Sequence, residues 1–193
     1  MTPHLLKSVL AAGLIWTAAA KAEPPAPIAL NGLTFGFRAI QPINNGWGAY
    51  YTPDGQEPDR SRDEIIINYL NAKTAAGEVI TPDGMASAML ENTKSRGGTV
   101  ILPFAVPDPA RQGELNFYMV FFYVYPQDGN GDVWMSKVTK QGDRVVGLLL
   151  KHQIEGANAQ DIDAKIRKWL IDNLQSQSPG LDQLAIPPEP SHG

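Results

Sequence analysis

Apolar residues at every second position mark the start of the ordered chain: Leu33, Phe35, Phe37 and Ala39 alternate with polar or small neighbours, the period of a strand with one buried face. Trp47 to Thr52 reads as a second, aromatic-rich strand, stopped by Pro53-Asp54-Gly55. The polar stretch Gln56 to Arg62 is loop. Asp63 to Leu70 holds Ile65, Ile66 and Ile67 in one β-branched run, which predicts a third strand covered on both faces or nearly so. The period then changes. Thr81 is an N-cap with Pro82 in the first turn, and Met85, Ala86, Met89, Leu90 and Thr93 fall on one helical face. Lys94 and Arg96 suit the negative end of that helix, and Gly97-Gly98 ends it.

Four more strands follow, at Thr99 to Val106, Leu115 to Tyr125, Asp132 to Thr139 and Arg144 to Gln153. Pro107-Asp108-Pro109, Gly129-Asn130-Gly131 and Gln141-Gly142-Asp143 separate them with reversal chemistry, so consecutive strands should pair antiparallel. Asn158 caps a last helix whose stripe is Ile162, Ile166, Trp169, Leu170 and Leu174. The order βββαββββα predicts an α+β fold, a mostly antiparallel sheet of about seven strands flanked by two helices. One domain over 31–175 is expected, preceded by an extended proline-rich lead-in at 23–30 and followed by a mobile proline-rich tail at 176–193.

This order resembles the α/β/α sandwich of the Mog1 and PsbP family. The resemblance rests on Trp47-Gly48-Ala49-Tyr50-Tyr51 and Asp63-Glu64-Ile65-Ile66-Ile67 as early strands, the helix Pro82 to Arg96, a strand meander, and a closing helix carrying Trp169-Leu170. It implies a binding or assembly platform, not a fixed catalytic scaffold.

Residues 1–22 read as a secretory signal peptide: His4 and Lys7 form a basic start, Ser8 to Ala20 is mostly small and apolar, and Ala20-Lys21-Ala22 is an A-x-A cleavage site before Glu23. The apolar run is shorter than the roughly 20 residues a membrane helix needs. Cleavage removes Lys7 and Lys21 and leaves 14 Lys+Arg against 20 Asp+Glu, a charge near −6. Such acidity argues against nucleic acid and anionic membranes as partners. The chain has no cysteine, which removes disulfides, thiolate metal sites and the acylated cysteine of a lipoprotein, whose place Glu23 occupies. The expectation is a soluble periplasmic or secreted protein, neither embedded nor lipid-anchored.

Candidate chemistry is sparse. Asp128-Gly129-Asn130-Gly131-Asp132 opens like a calcium loop, but Val133 and Thr139 stand where that loop needs glycine and a bidentate glutamate, and a hairpin turn accounts for the same residues. His152 is the one histidine expected in an ordered region of the mature chain, and no G-x-S-x-G surrounds any serine. No catalytic residue, metal site or cofactor is assigned. The constellation retained is aromatic and cationic: Trp47, Tyr50, Tyr51 and Trp134 with Arg38, Arg60 and Arg62. Core packing competes for Trp47 and Trp134, while Tyr50, Tyr51, Arg60 and Arg62 are the better surface candidates. The leading expectation is a non-catalytic exported module that binds a protein partner in envelope assembly or as an inhibitor. The alternatives are a small-molecule or cell-wall-fragment binder using the aromatic cluster, and a hydrolase using His152.

Overall fold

A computed structural model describes residues 25–53, 56 and 61–189. The signal-peptide reading at 1–22, Arg60 and the last four residues lie outside the described residues. Among the described residues eight strands and two helices follow one another: β1 (Ile28–Leu30), β2 (Leu33–Ile43), β3 (Gly46–Pro53), β4 (Asp63–Asn71), α1 (Pro82–Ser95), β5 (Thr99–Pro107), β6 (Leu115–Tyr125), β7 (Asn130–Gln141), β8 (Arg144–Glu155) and α2 (Ala159–Gln183). The strands form one sheet in the order β1-β2-β3-β4-β8-β7-β6-β5 with every pairing antiparallel. Two four-stranded meanders thus meet at the β4–β8 seam. Helix α1 carries the chain from that seam to the far edge, and the second meander returns to it.

The α+β class, the antiparallel sheet and both helices match the pattern read from the sequence, with eight strands in place of about seven. The extra strand is β1, inside the segment read as an extended lead-in. Asn31 (φ 52°) and Gly32 (φ 79°) supply the two left-handed residues of a tight hairpin, and Ala29 pairs with Thr34 across it. That register turns Ile28 and Leu30 into the core.

The tail also departs from expectation. Pro179 and Gly180 read as helix breakers, yet α2 continues to Gln183. Leu181 beyond them is buried, and Leu184 and Ile186 pack on the same core. The Tyr69 hydroxyl donates to the Pro187 carbonyl at 2.9 Å, and Arg144 pairs with Glu189 at 2.8 Å. Tertiary burial outweighs the local propensity here.

The two helices cover opposite faces. On one face, Ile162, Ile166 and Leu170 of α2 meet Ile65, Ile67, Leu148 and Val133 in the main core. Each fully buried isoleucine there contributes about 2 kcal/mol of transfer free energy. On the other face α1 makes a smaller core, Met85 against Val138 and Val145. Gly147 makes room for it, since a Cβ there would lie 2.4 Å from the Met85 methyl. Both predicted caps form: the Thr81 side chain accepts from the Gly84 amide and Asn158 from the Asp161 amide, each at 3.0 Å.

Candidate functional site

Register divides the aromatic residues singled out in the sequence between the two faces. Trp47 sits opposite Tyr69 and Tyr51 opposite Ile65, on the α2 side; Tyr50 sits opposite Ile66, on the α1 side, as does Trp134, which pairs with Lys151. They do not line one cleft. Tyr51 is 0% exposed, its ring edge-on to Phe37 at 5.5 Å, and burial pushes its hydroxyl pKa up. It is a core residue, which corrects its reading as a surface contact. Arg38 reaches back to Thr52, its Nε donating to Oγ1 at 2.7 Å. Arg62 forms a solvent-exposed pair with Glu155 at 3.1 Å, a contact of the kind that contributes about 0–1 kcal/mol.

Around Trp134 the fold assembles partners that sequence proximity did not reveal. Lys151 Nζ lies 5.9 Å over the Trp134 ring and 3.8 Å from Glu64, while the Phe121 ring stacks on the indole at 6.0 Å. Burial raises the Glu64 carboxyl pKa against the pull of Lys151, and Asp132 adds to the rise. Burial likewise raises Asp132. One cation therefore faces two carboxyls on this stretch of sheet.

His152 has an acid partner: its Nδ1 is 2.7 Å from Asp63 Oδ1, and its ring stacks on Trp169 at 4.7 Å. The third member of a hydrolytic triad is not assembled with them among the described residues. The nearest serine in sequence, Ser61, spends its hydroxyl on Gln56 Oε1 and the Asp63 carbonyl. A histidine so placed is oriented but has no described hydroxyl to activate.

The most exposed apolar element is the edge strand β5. Its nine residues, TVILPFAVP, contain no charge, and among the described residues it pairs only with β6. Ile101, Leu102 and Phe104 are 39%, 42% and 39% exposed. Register shifts between Val100 and Leu102, a bulge that twists the edge. On the α1 side a cleft of about 260 Å³ runs between Ala86, Ser87 and Leu90 of the helix and Pro103, Ala105 and Phe117 of the sheet. On the α2 side Phe104 stacks on Tyr118 at 5.0 Å. The sequence carried this signal as a charge-free strand, but its edge position follows from the α1 crossover and was not readable.

No family model matches the chain, and no curated protein matches it. Solved structures do resemble it in fold. A protein of unknown function from Pseudomonas aeruginosa, PA94, is 11% identical with a TM-score of 0.43, covering 88% of this chain and 100% of its own. A point mutant of the protein Mog1 is 15% identical at a TM-score of 0.41, covering 82% and 95%. The Ran-binding protein Mog1p of Saccharomyces cerevisiae is 13% identical at 0.41, covering 81% and 93%. The Mog1-like likeness read from element order is thus a likeness of fold. Among the described residues no helix is long and apolar enough to cross a membrane.

Proposed function

We propose that this chain is an exported, non-catalytic module that binds a protein partner in the bacterial envelope, in assembly or as an inhibitor, after cleavage near Ala22-Glu23. The observation that carries the binding reading is the open, uncharged edge of β5. An unpaired strand edge presents a row of backbone donors and acceptors, and natural sheets normally guard it with charge, short length or cover. Here an extended partner segment would add as a ninth strand, its backbone completing the ladder. Its alternate side chains would fall into the α1 cleft on one face and against Leu102 and Phe104 on the other. The binding reading is preferred to hydrolysis because the hydroxyl of Ser61, the serine beside the His152–Asp63 pair, is directed to Gln56 and to the Asp63 carbonyl and not to His152.

Two measurements test this. Mass spectrometry of the protein from a periplasmic extract should find an N-terminus at Glu23; a full-length chain in the cytoplasm removes the export part. For binding, the tagged protein and its Leu102→Lys variant are compared in envelope extracts. A partner retained by the parent and lost by the folded variant supports β5 as the contact, and equal retention by both rules that surface out.

A further inference from the structure

The open edge of β5 carries its own pattern of donors and acceptors, and that pattern selects an occupant. In an antiparallel ladder, alternate residues turn both backbone groups to the same neighbour. The Asp108 amide donates to the Glu114 carbonyl at 2.9 Å, so Val106, Phe104 and Leu102 turn toward β6 with it. Pro103, Ala105 and Pro107 therefore face outward, which is where an edge strand can hold proline without losing a ladder bond. From Pro103 to Pro107 the edge offers a carbonyl at each of these residues but an N–H at Ala105 alone.

A second β5 fits this pattern. Set antiparallel with a two-fold axis at Phe104, it places Ala105 of each copy opposite Pro103 of the other. Each Ala105 amide then donates to a Pro103 carbonyl, and no proline faces a proline. An axis at Pro103 would set two carbonyls together without a donor, and an axis at Ala105 would oppose Pro103 to Pro107. The side chains agree with the Phe104 register. Phe104 lies on the α2 face, 39% exposed and stacked on Tyr118 at 5.0 Å. At the axis it meets its own copy at the cross-strand distance of about 5 Å, which joins two stacked pairs of rings into one row. Leu102, also exposed, comes opposite Val106 of the other copy. The strand has no charge, so pairing it with itself opposes no like charges.

On the other face α1 supplies the complementary charges. Asp83, Ser87 and Leu90 line the cleft beside β5, and Lys94 lies one turn further along the same flank of the helix. Asp83 and Lys94 are both exposed. An antiparallel copy brings its own α1 alongside in the reverse sense, with Lys94 of each copy facing Asp83 of the other. Because α1 lies over β5, β6 and β7, the two helices would flank the seam roughly 14 Å apart, three strand spacings of ~4.8 Å, a gap that a lysine and an aspartate can bridge. An unrelated extended segment would satisfy the backbone but has no reason to match this order of charges.

We propose that the partner of the β5 edge is a second copy of this chain, joined antiparallel about a two-fold axis at Phe104 so that the two sheets become one. This rests on the reading of β5 as a contact and names its occupant. One strand and one helix flank from each copy make an interface at the small end of the specific range, about 1,200 Å² in total, so dissociation in the micromolar range is expected.

Sedimentation velocity of the purified protein over a concentration series should show a reversible monomer–dimer equilibrium. Phe104→Lys, which sets two ammonium groups together at the axis, should be monomeric throughout. Asp83→Lys and Lys94→Asp should each weaken association about tenfold, and the double variant should restore it, because each swapped charge again meets its opposite across the seam. Both positions are exposed, so the swap keeps the test decisive if Phe104→Lys fails to fold. A monomer at all concentrations, a dimer that a folded Phe104→Lys leaves intact, or a double variant no tighter than the single ones would each overturn the proposal. If a monomeric protein still retains from envelope extract a partner that Leu102→Lys loses, the second copy alone is excluded as occupant; if it retains none, the β5 contact falls with it.

Discussion

At one end of the sheet β1 is only three residues long, its Ile28 and Leu30 are buried, and the segment from Leu184 to Pro188 borders a cavity beside it. At the other end β5 is nine residues long, carries no charge and leaves Ile101, Leu102 and Phe104 half exposed. Both are edges of the same ladder and so carry the same backbone hazard. The first is blunted by shortness and by neighbouring chain; the second is left open with an apolar surface on each face. An edge that is costly to leave exposed, in a molecule that blunts the other one, is where a binding role should be sought.

The largest effect should come from removing the guard at the blunted edge. Deleting residues 184–193 removes the packing of Leu184 and Ile186, the Tyr69–Pro187 hydrogen bond and the Arg144–Glu189 pair. We expect a loss of about 3 kcal/mol in chemical denaturation, with new self-association by light scattering. If the truncated protein is as stable and as monodisperse as the parent, the guarded edge is not guarded by this segment.

Substituting equivalent residues at the two edges should separate them next. Leu30→Ala in β1 should cost about 2–4 kcal/mol, whereas Leu102→Ala in β5 should stay within about 0.5 kcal/mol. Comparable costs would mean that β5 is a packed strand and the contrast between edges is false.

The open edge is itself anchored at its end, where Asp108 turns the chain. Asp108→Asn should cost about 2 kcal/mol, because it leaves Arg111 without its closest partner, with some relief from solvent at the arginine. Burial alone would raise the Asp108 pKa, but the bonds from Arg111 and the Ala110 amide hold it below the usual carboxylate value. A depressed carboxyl stabilises the fold above its unfolded pKa of about 3.9 and loses that contribution as pH falls through the lower folded value. Acid titration of the parent, followed by hydrogen exchange, should therefore loosen the β5–β6 turn in that window, and Asp108→Asn should remove the effect.

Asp132 should give the smallest change, with the opposite sign. Its pKa is raised by burial, so the charged form is disfavoured in the fold and stability declines as pH rises above about 3.9. Asp132→Asn should be slightly more heat-stable than the parent at pH 7, and the difference should vanish near pH 4. A less stable variant at pH 7 would show that the carboxylate is held by its neighbours more firmly than its burial opposes it.

Much of the architecture was legible because it depends on local pattern. The alternation from Leu33 to Ala39, the Ile65–Ile67 run and the capped helices at Thr81 and Asn158 each state their element within a few residues. The strand β1 was missed because three prolines dominate its approach, although Asn31-Gly32 is itself a strong hairpin signal. The continuation of α2 past Pro179 was missed because it depends on burying Leu181, a tertiary gain that no local signal reports. The sites were less legible still. Trp134 was singled out, but Glu64 and Lys151 reach it only through the pairing of β4 with β8 and β8 with β7.

The β4–β8 seam also bears on how quickly the molecule can form. It joins residues 63–71 to residues 144–155, so the centre of the sheet closes only when the last strand of the chain is available. Each meander can pair locally beforehand, but neither covers its own apolar face, and α2 lies later still. Contacts of such long separation make closure slow compared with local hairpins. During that delay the chain has no finished core, and the apolar faces of both meanders stay open to water.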